Sequence, residues 1–158
     1  MTRTRSEYRL TPIDPSRLRA APVGLRPPAV ADRRPLAELV LAAYRGTIDD
    51  EGETLDDALE AVDVWLGHAI APHSLVLEEP GRLIAASFVV TVDDRHYIDP
   101  VIVAAPAKQR GIGVAMVSSS IRSLLDAGVH EVGATITDGN VSSERLFASL
   151  GFTRVGAW

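Results

Sequence analysis

The spacing of apolar residues indicates two helices in the first half of the chain. The residues that recur at the helical period are Leu36, Leu39, Val40, Ala43 and Tyr44, followed by Leu55, Leu59, Val62 and Leu66. Asp32 and Thr54 are the predicted N-caps, because such side chains accept a hydrogen bond from a free amide of the first turn. Gly46 ends the first predicted helix, and an acidic loop over residues 47–53 joins it to the second.

Beyond residue 73, short runs of β-branched and apolar residues predict strands. Residues 74–79 and 83–92 flank Pro80-Gly81-Arg82 and form a predicted hairpin. Residues 97–104 are rich in Ile and Val, as expected of a strand that is covered on both faces. The other predicted elements are a helix between Gly111 and Gly128, a strand at 131–137, a short helix at 140–150 and a final strand at 152–158.

The predicted order, β-α-α-β-β-β-α-β-α-β, describes a mixed sheet with helices on its faces, an α/β fold of the α+β mixed-sheet kind. Half of the ten prolines lie in the first 28 residues, where they fix φ and remove backbone donors. We therefore expect this stretch to be extended or loosely ordered, with a strand only toward its end, at Val23 to Arg26, so that residues 1–22 form an extended lead-in. Residues 23–158 are expected to form one domain.

Composition narrows the classes of function. No run approaches the roughly 20 apolar residues that a membrane-spanning helix needs. The net charge of −5 argues against a chain that wraps nucleic acid, and the absence of cysteine excludes disulfides and cysteine nucleophiles. We expect a cytoplasmic protein that binds neither membranes nor nucleic acid and whose partner is a small molecule or a peptide.

The loop between the third predicted strand and the next helix has the chemistry of an anion site. It contains Lys108 and Arg110 as cations and Gly111 and Gly113 as glycines. Amides at a helix N-terminus lack intrahelical acceptors, and glycine lets the main chain approach a phosphate closely. Met116 stands where a dinucleotide fold needs its third glycine, and the GK[ST] sequence of a nucleotide P-loop is also missing.

This loop resembles the acetyl-coenzyme A motif of the GCN5-related N-acetyltransferase (GNAT) family, with Lys108 at the place usually taken by Gln or Arg. A second block, from Asn140 to Phe152, is similar to the family pattern Asn, two residues, Ala, two residues, Leu-Tyr, two residues, Leu-Gly-Phe. The resemblance implies a GNAT-like fold, with a central, mostly antiparallel sheet, a splayed parallel pair and helices on both faces. It also implies acetyl-CoA as the acyl donor.

The resemblance places the cofactor along the strand and the loop. The pantetheine arm is expected to pair with Val101, Ile102 and Val103, with an amide of Val101 or Val103 polarising the thioester carbonyl. Asn140 is expected near the pantetheine arm, or it is simply the N-cap of its helix. The pyrophosphate is expected against the amides from Gln109 to Val114, that is Gln109, Arg110, Gly111, Ile112, Gly113 and Val114, with Lys108 beside them.

Catalytic groups are less clearly marked. The family often has a Tyr that protonates the leaving thiolate, and Phe147 stands at that position. Ser142 or Ser143 could donate instead, and we favour Ser143. Counting back from Lys108 puts Tyr97 where some relatives have a catalytic Glu. Asp99 shares that face and is the first candidate base, or else a polar residue that faces solvent.

The acidic loop offers other candidates. Glu51 and Glu53 lie where the family lines its acceptor pocket, and His96 has a suitable unperturbed pKa. Asp49 and Asp50 complete an acidic set that attracts a cationic amine or merely forms a solvated turn. The four histidines show no ligand spacing, so we expect no catalytic metal.

Two functions remain open from the sequence. The first is an acetyl-CoA-dependent N-acetyltransferase that acts on a primary amine in a ternary complex, and the second is a non-catalytic CoA- or acyl-CoA-binding sensor or interaction module, which Phe147 favours. Trp65 and Phe88 are expected in the core. Trp158 is expected to cover an open sheet edge or to contact a second subunit, so a homodimer is a further hypothesis.

Overall fold

The computed structural model describes residues 3–158 and contains five α-helices and seven strands in that range. The helices are α1 (Arg33–Tyr44), α2 (Leu55–His68), α3 (Ala105–Lys108), α4 (Ile112–Asp126) and α5 (Val141–Ser149). The strands are β1 (Arg5–Leu10), β2 (Leu25–Arg26), β3 (Leu75–Glu79), β4 (Arg82–Val92), β5 (Arg95–Val103), β6 (Val132–Thr137) and β7 (Thr153–Ala157). The predicted helices and strands after residue 30 are all present, with ends shifted by one or two residues.

All seven strands form one sheet in the order β2-β3-β4-β5-β6-β1-β7. Neighbouring strands are antiparallel except β5 and β6. That parallel pair is in register only at Tyr97 with Gly133 and at Ile98 with Ala134, and the two strands part beyond these residues. The predicted mostly antiparallel mixed sheet with a splayed parallel pair is confirmed, and one edge of β5 is left without a strand partner.

Alternating residues of β3 and β4 face opposite helical layers. Val76 and Ala86 pack with α1 and α2, and Leu77 and Ala85 pack with the start of α4. Phe88 is fully buried in the core as predicted, and its ring lies 5.9 Å from that of Trp65, which is only partly buried against the same core. Helices therefore cover both faces of the sheet.

The N-terminal segment differs from its prediction. Residues 5–10 form β1, which lies inside the sheet between β6 and β7, so the prediction that Val23–Arg26 holds the first strand was wrong. The segment alternates charged residues with Ser6, Tyr8 and Leu10; Tyr8 and Leu10 pack in the cluster that includes Phe147 of α5, and Ser6 and Leu10 are buried. The prolines that suggested loose structure begin only at Pro12, after the strand has ended. The division into a lead-in over residues 1–22 and a domain over residues 23–158 stays a prediction.

The two predicted N-caps behave differently. Thr54 caps α2 through a reciprocal pair of hydrogen bonds with Asp57. Asp32 makes no side-chain cap, because its carboxylate accepts two hydrogen bonds of 2.7 Å from Arg26 and one from the amide of Ala29. Hydrogen bonding to Arg26 is the main reason that the pKa of Asp32 is lowered. Asp32 therefore fastens β2 to the start of α1.

The C-terminal Trp158 packs on the face of the sheet that carries Tyr97. The amide of Trp158 donates to the carbonyl of Arg5, and its ring centroid lies 5.2 Å from that of Tyr97. The ring of Tyr97 lies over Gly133 of β6, where a side chain would collide with it. Trp158 thus covers a face of the sheet rather than its edge, and it stays 50% exposed. Within the described range, no helix is both long and apolar enough to span a bilayer.

Candidate functional site

The glycine loop presents free amides at the start of α4. The first hydrogen bond inside this helix runs from the amide of Ala115 to the carbonyl of Gly111, so the amides of residues 112–114 have no acceptor within the helix. The amide of Arg110 donates to Ala107, which removes it from the set of free donors. The helix dipole adds partial positive charge at the same place. The local structure is therefore that of an anion site.

The two glycines of this loop have different roles. Gly111 has a φ of +71°, a left-handed conformation, and a Cβ there would meet open space. Gly113 has ordinary helical geometry, but a Cβ there would lie 2.7 Å from a methyl carbon of Leu146 on α5. Gly111 allows the turn, whereas Gly113 allows α4 and α5 to pack closely.

The side chains of the loop point in different directions. Lys108, Gly111, Gly113 and Val114 line a large cavity, whereas Gln109, Arg110 and Ile112 do not. Arg110 instead forms a 2.6 Å ion pair with Glu79 at the end of β3, and this contact lowers the pKa of Glu79. Arg110 fastens the loop to the β3–β4 hairpin. Its predicted role as a phosphate contact stays untested.

The same cavity follows the unpaired edge of β5 to the start of α5. Val101 and Val103 line it, and Ile102 points into the core beneath α1 and α2. From α5, Ser142, Ser143 and Phe147 line the opposite wall. The ring of Phe147 is 4% exposed and packs edge to face on Phe152, with centroids 5.0 Å apart.

Asn140 connects three parts of the site. Its Oδ1 accepts a hydrogen bond from the amide of Ser143, so it caps α5, as one of its two predicted roles requires. Its Nδ2 donates to Asp49 in the loop between α1 and α2, at 3.0 Å. Asp49 also accepts a hydrogen bond from Thr137 at the end of β6. The acidic loop is thereby fixed across the gap between β5 and β6.

The far end of the cavity is acidic. Asp49, Glu51, Glu53 and Asp99 line it together with Tyr44 and Trp65. Burial raises the pKa of the Tyr44 hydroxyl, and the carboxylates of Asp49, Asp99 and Glu53 raise it further. The negative charges of these three carboxylates are therefore all felt at the Tyr44 hydroxyl. Asp50 is turned away from the cavity and accepts hydrogen bonds from the amides of Gly46 and Gly52, which makes it a turn residue.

Asp99 is paired with a residue that sequence reasoning missed. Arg5 reaches from β1 across β6 and places its guanidinium 3.0 Å and 3.4 Å from the two oxygens of Asp99. It also donates to the carbonyl of Thr135. The alternation of polar and buried positions over residues 5–10 was the signal that could have placed Arg5 in a strand.

Two further candidates lie away from the cavity. His96 packs edge to face on His73, with ring centroids 6.2 Å apart. Tyr97 is buried beneath Trp158, and its hydroxyl binds Arg9 and Glu7 on β1. Neither residue lines the cavity, so neither contacts a ligand bound there. Among residues 3–158, no group of three His, Asp or Glu side chains is arranged to hold a metal ion.

Comparison with known proteins identifies the class. The model of a family described as Acetyltransferase (GNAT) family matches residues 35–152, which include the loop, the parted strands and α5. The chain belongs to the GNAT acetyltransferase family. A comparison with curated proteins gave no match.

Solved structures share the fold at low identity. A GCN5-related N-acetyltransferase from Sphaerobacter thermophilus aligns with a TM-score of 0.70 and 19% identity over 98% of this chain and 49% of its own. The ribosomal-protein-S18-alanine N-acetyltransferase from Escherichia coli aligns with a TM-score of 0.64 and 16% identity over 80% and 75% of the two chains. AAC(6')-Iy, in complex with the bisubstrate analogue CoA-S-monomethyl-acetylneamine, aligns with a TM-score of 0.61 and 16% identity over 82% of this chain and 89% of its own.

The chain spans about half the length of the first two structures it matches, 49% and 54%, and 61% of the third. At identities of 15% to 19% these likenesses show the fold alone. Donor, acceptor and catalytic residues must therefore be argued from this chain's own site.

Proposed function

We propose that the protein is an acetyl-CoA-dependent N-acetyltransferase that moves an acetyl group to a primary amine by direct attack in a ternary complex. The observation that carries this proposal is one cavity of about 1760 Å³. It joins the free amides of α4 to the unpaired edge of β5 and to the carboxylates around Tyr44. Membership of the GNAT family and a neighbouring fold bound to a CoA analogue support this donor.

The donor is proposed to bind along the wall that the loop and β5 form. The pyrophosphate lies at the amides of residues 112–114 beside Lys108, where the helix terminus favours negative charge. The pantetheine arm runs along Val101 to Val103, which leaves the thioester near Asp99 and the acidic end of the cavity. An amide of Val101 or Val103 then stabilises the oxyanion of the tetrahedral intermediate.

The proposed acetyl transfer proceeds directly from the thioester to the amine, without a covalent enzyme intermediate. The lone pair of a neutral amine forms the N–C bond to the thioester carbon, the C–S bond breaks, and CoA leaves as a thiolate. The amine proton passes to a base, for which Asp99 is the first candidate and Glu51 the second. Ser143 donates to the departing sulfur, and a thiol pKa of about 8.5 makes this help useful rather than essential.

A non-catalytic CoA- or acyl-CoA-binding module is the second candidate function. Two observations favour it. Phe147 offers no hydroxyl to the sulfur and is packed against Phe152. Asp99, the first candidate base, is occupied by Arg5.

Donor binding is tested by calorimetric titration with acetyl-CoA. Gly111 has room for a side chain, and Asp and Asn both tolerate its left-handed φ, so Gly111→Asp and Gly111→Asn differ only in charge. We expect Gly111→Asp to weaken binding at least about tenfold more than Gly111→Asn, the equivalent of ~1.4 kcal/mol. Equal affinities in the two variants, or no binding by the wild-type protein, would remove the proposed donor site.

Turnover separates the enzyme from the binding module. Thiol release from acetyl-CoA on addition of primary amines is expected for the enzyme, and saturable binding without release for the module. Ser143→Ala is expected to lower kcat about tenfold, because the thiolate can still leave unprotonated. An unchanged kcat in Ser143→Ala would exclude this residue as the donor.

A homodimer and a cytoplasmic location are also proposed. The dimer hypothesis rests on Trp158, which is half exposed although its ring packs on Tyr97. Light scattering on the purified chain would give the mass, and a monomeric value would end this hypothesis.

A further inference from the structure

The cavity is polarised from one end to the other. Its basic residues near α4 and α5 are Lys108, Arg145 and Arg19, the last held by a hydrogen bond from its amide to Ser118. Its far end carries four carboxylates, Asp49, Glu51, Glu53 and Asp99, against two arginines, Arg3 and Arg5. Asp138 lies at the corner between the two ends and accepts hydrogen bonds from Thr4 and Ser6. The end away from the phosphate site is therefore suited to a cation.

Most of these carboxylates lack a cationic partner. Asp49 is bound by neutral groups, the Thr137 hydroxyl and the Asn140 amide. Glu53 accepts a hydrogen bond from the amide of Glu51. Within residues 3–158, no ion pair involves Asp49, Glu51 or Glu53. Their carboxylates face the cavity without an ion-pair partner in that range, beside the rings of Tyr44 and Trp65, which can also attract a cation.

The region around Asp99 has unused hydrogen-bonding capacity. The Nε of Arg5 and the Oγ1 of Thr135 are buried without a hydrogen-bond partner in the described part of the chain. Thr135 is 8% exposed and lines the cavity. Buried polar atoms are nearly always paired, so the unpaired hydroxyl of a residue in the cavity wall is available to a ligand group that donates or accepts a hydrogen bond. Asp99 itself already binds one cationic N–H group, from Arg5.

We propose that the acceptor is an amine carrying at least one further positive charge, that is, a diamine or polyamine. This inference rests on the proposed acetyl transfer. The reacting amine lies near Asp99 and Thr135, next to the thioester at Val101. The second ammonium group stays protonated and is held by Glu51 and Glu53 beside Tyr44. The anionic position at Glu51 and Glu53, which has no ion-pair partner in the described range, then selects for the second charge, which a monoamine cannot supply.

A matched set of acceptors tests the proposal. In the thiol-release assay, 1,4-diaminobutane, n-butylamine and 4-aminobutanoate present the same reacting amine with a cation, a methyl group or a carboxylate at the other end. We expect kcat/KM for the diamine to exceed that for butylamine at least about tenfold, with 4-aminobutanoate the poorest acceptor. Equal values for the diamine and butylamine, or a preference for 4-aminobutanoate, would overturn the proposal.

A pair of variants tests the position of the second charge. Glu53→Gln removes one charge from the cavity, and Glu60→Gln removes one from the exposed surface of α2. Glu53→Gln is expected to raise KM for 1,4-diaminobutane about fivefold more than it raises KM for butylamine. Glu60→Gln is expected to change neither value. Equal effects of Glu53→Gln on both amines would show that this residue does not bind the second charge.

Direct binding separates this proposal from the proposed function. If all three amines are acetylated equally, the transferase proposal stands and the diamine proposal fails. If none is acetylated, calorimetry of 1,4-diaminobutane and butylamine with the CoA-saturated protein still shows whether the cavity prefers a diamine. Preferential diamine binding supports a polyamine site without transfer, and equal or absent binding removes it.

Discussion

At the scale of single residues, His73 is a buried histidine whose ionisation opposes folding. It is 6% exposed, and its Nδ1 lies 2.7 Å from the hydroxyl of Ser123 on α4. Burial lowers the pKa of His73, and the nearby His96 lowers it further. The folded protein therefore holds His73 neutral at a pH where the unfolded chain already binds a proton.

Stability is expected to fall as the pH drops below about 6.5, the value of an unperturbed histidine. The unfolded state then binds a proton that the folded state does not, with a slope of up to about 1.4 kcal/mol per pH unit. Urea unfolding between about pH 7.5 and pH 5.5 measures this change above the carboxylate range. The slope is expected to shrink in His73→Gln and to persist in His68→Gln, which alters an exposed residue of α2. An undiminished slope in His73→Gln would assign it to another group.

For Phe147 and Asp99, the sequence gives the identity of the residue but not its contacts. The sequence already shows that Phe147 lacks the hydroxyl that the family often has there. Only the structure shows that its ring is fixed against Phe152 and that Asp99 is bound by Arg5. The identity of the base and of the acid remains a proposal for this reason.

At the scale of elements, the loop between α1 and α2 joins the two halves of the site. Asp49 binds Thr137 and Asn140, and Arg3 donates to the carbonyl of Asp50. A Cβ on Gly139 would lie 3.2 Å from the side chain of Ile48, so the loop packs directly on the turn between β6 and α5. The loop therefore positions the acidic end of the cavity relative to the donor site.

Asp49→Ala is expected to lower the free energy of unfolding by about 1–3 kcal/mol, because it removes two hydrogen bonds to a carboxylate. Thr137→Val is the matched control, since it removes only one of these bonds and nearly preserves the shape of the side chain. Urea denaturation should rank wild type above Thr137→Val and Thr137→Val above Asp49→Ala. Equal stability of all three proteins would mean that Asp49 does not hold the loop.

At the scale of the whole molecule, β1 completes the sheet. It pairs with β6 on one side and with β7 on the other, and β7 has no other strand partner among the described residues. Leu10 adds a buried side chain to the core beside α4 and α5. The N-terminal strand is thus part of the central sheet rather than an attachment to it.

Removal of residues 1–11 is expected to abolish cooperative unfolding, because β7 loses the one strand with which it pairs in the described part of the chain and the core beneath β1 is opened. Near-ultraviolet circular dichroism and urea denaturation would report the loss. A variant without residues 1 and 2 keeps β1 and is expected to unfold like the wild-type protein. A cooperative transition of normal midpoint in the longer deletion would contradict this account of the sheet.

The sequence by itself determined the features that depend on neighbouring residues. The helical period predicted α1, α2 and α4. Thr54 and Asp57, which cap α2 together, lie only three residues apart. The glycine loop was visible as a sequence motif. Runs of β-branched and apolar residues predicted β3 to β6, because such side chains pack well on a pleated sheet. These local signals were sufficient for the fold class and for the family.

Tertiary structure alone decided the features that join distant parts of the chain. Arg5 meets Asp99, 94 residues away, and Asn140 meets Asp49, 91 residues away. Neither pairing has a local signal, because an ion pair or hydrogen bond between distant residues depends on the order of strands in the sheet. The place of β1 in that order, between β6 and β7, was equally invisible, since a short strand records its alternation but not its partners.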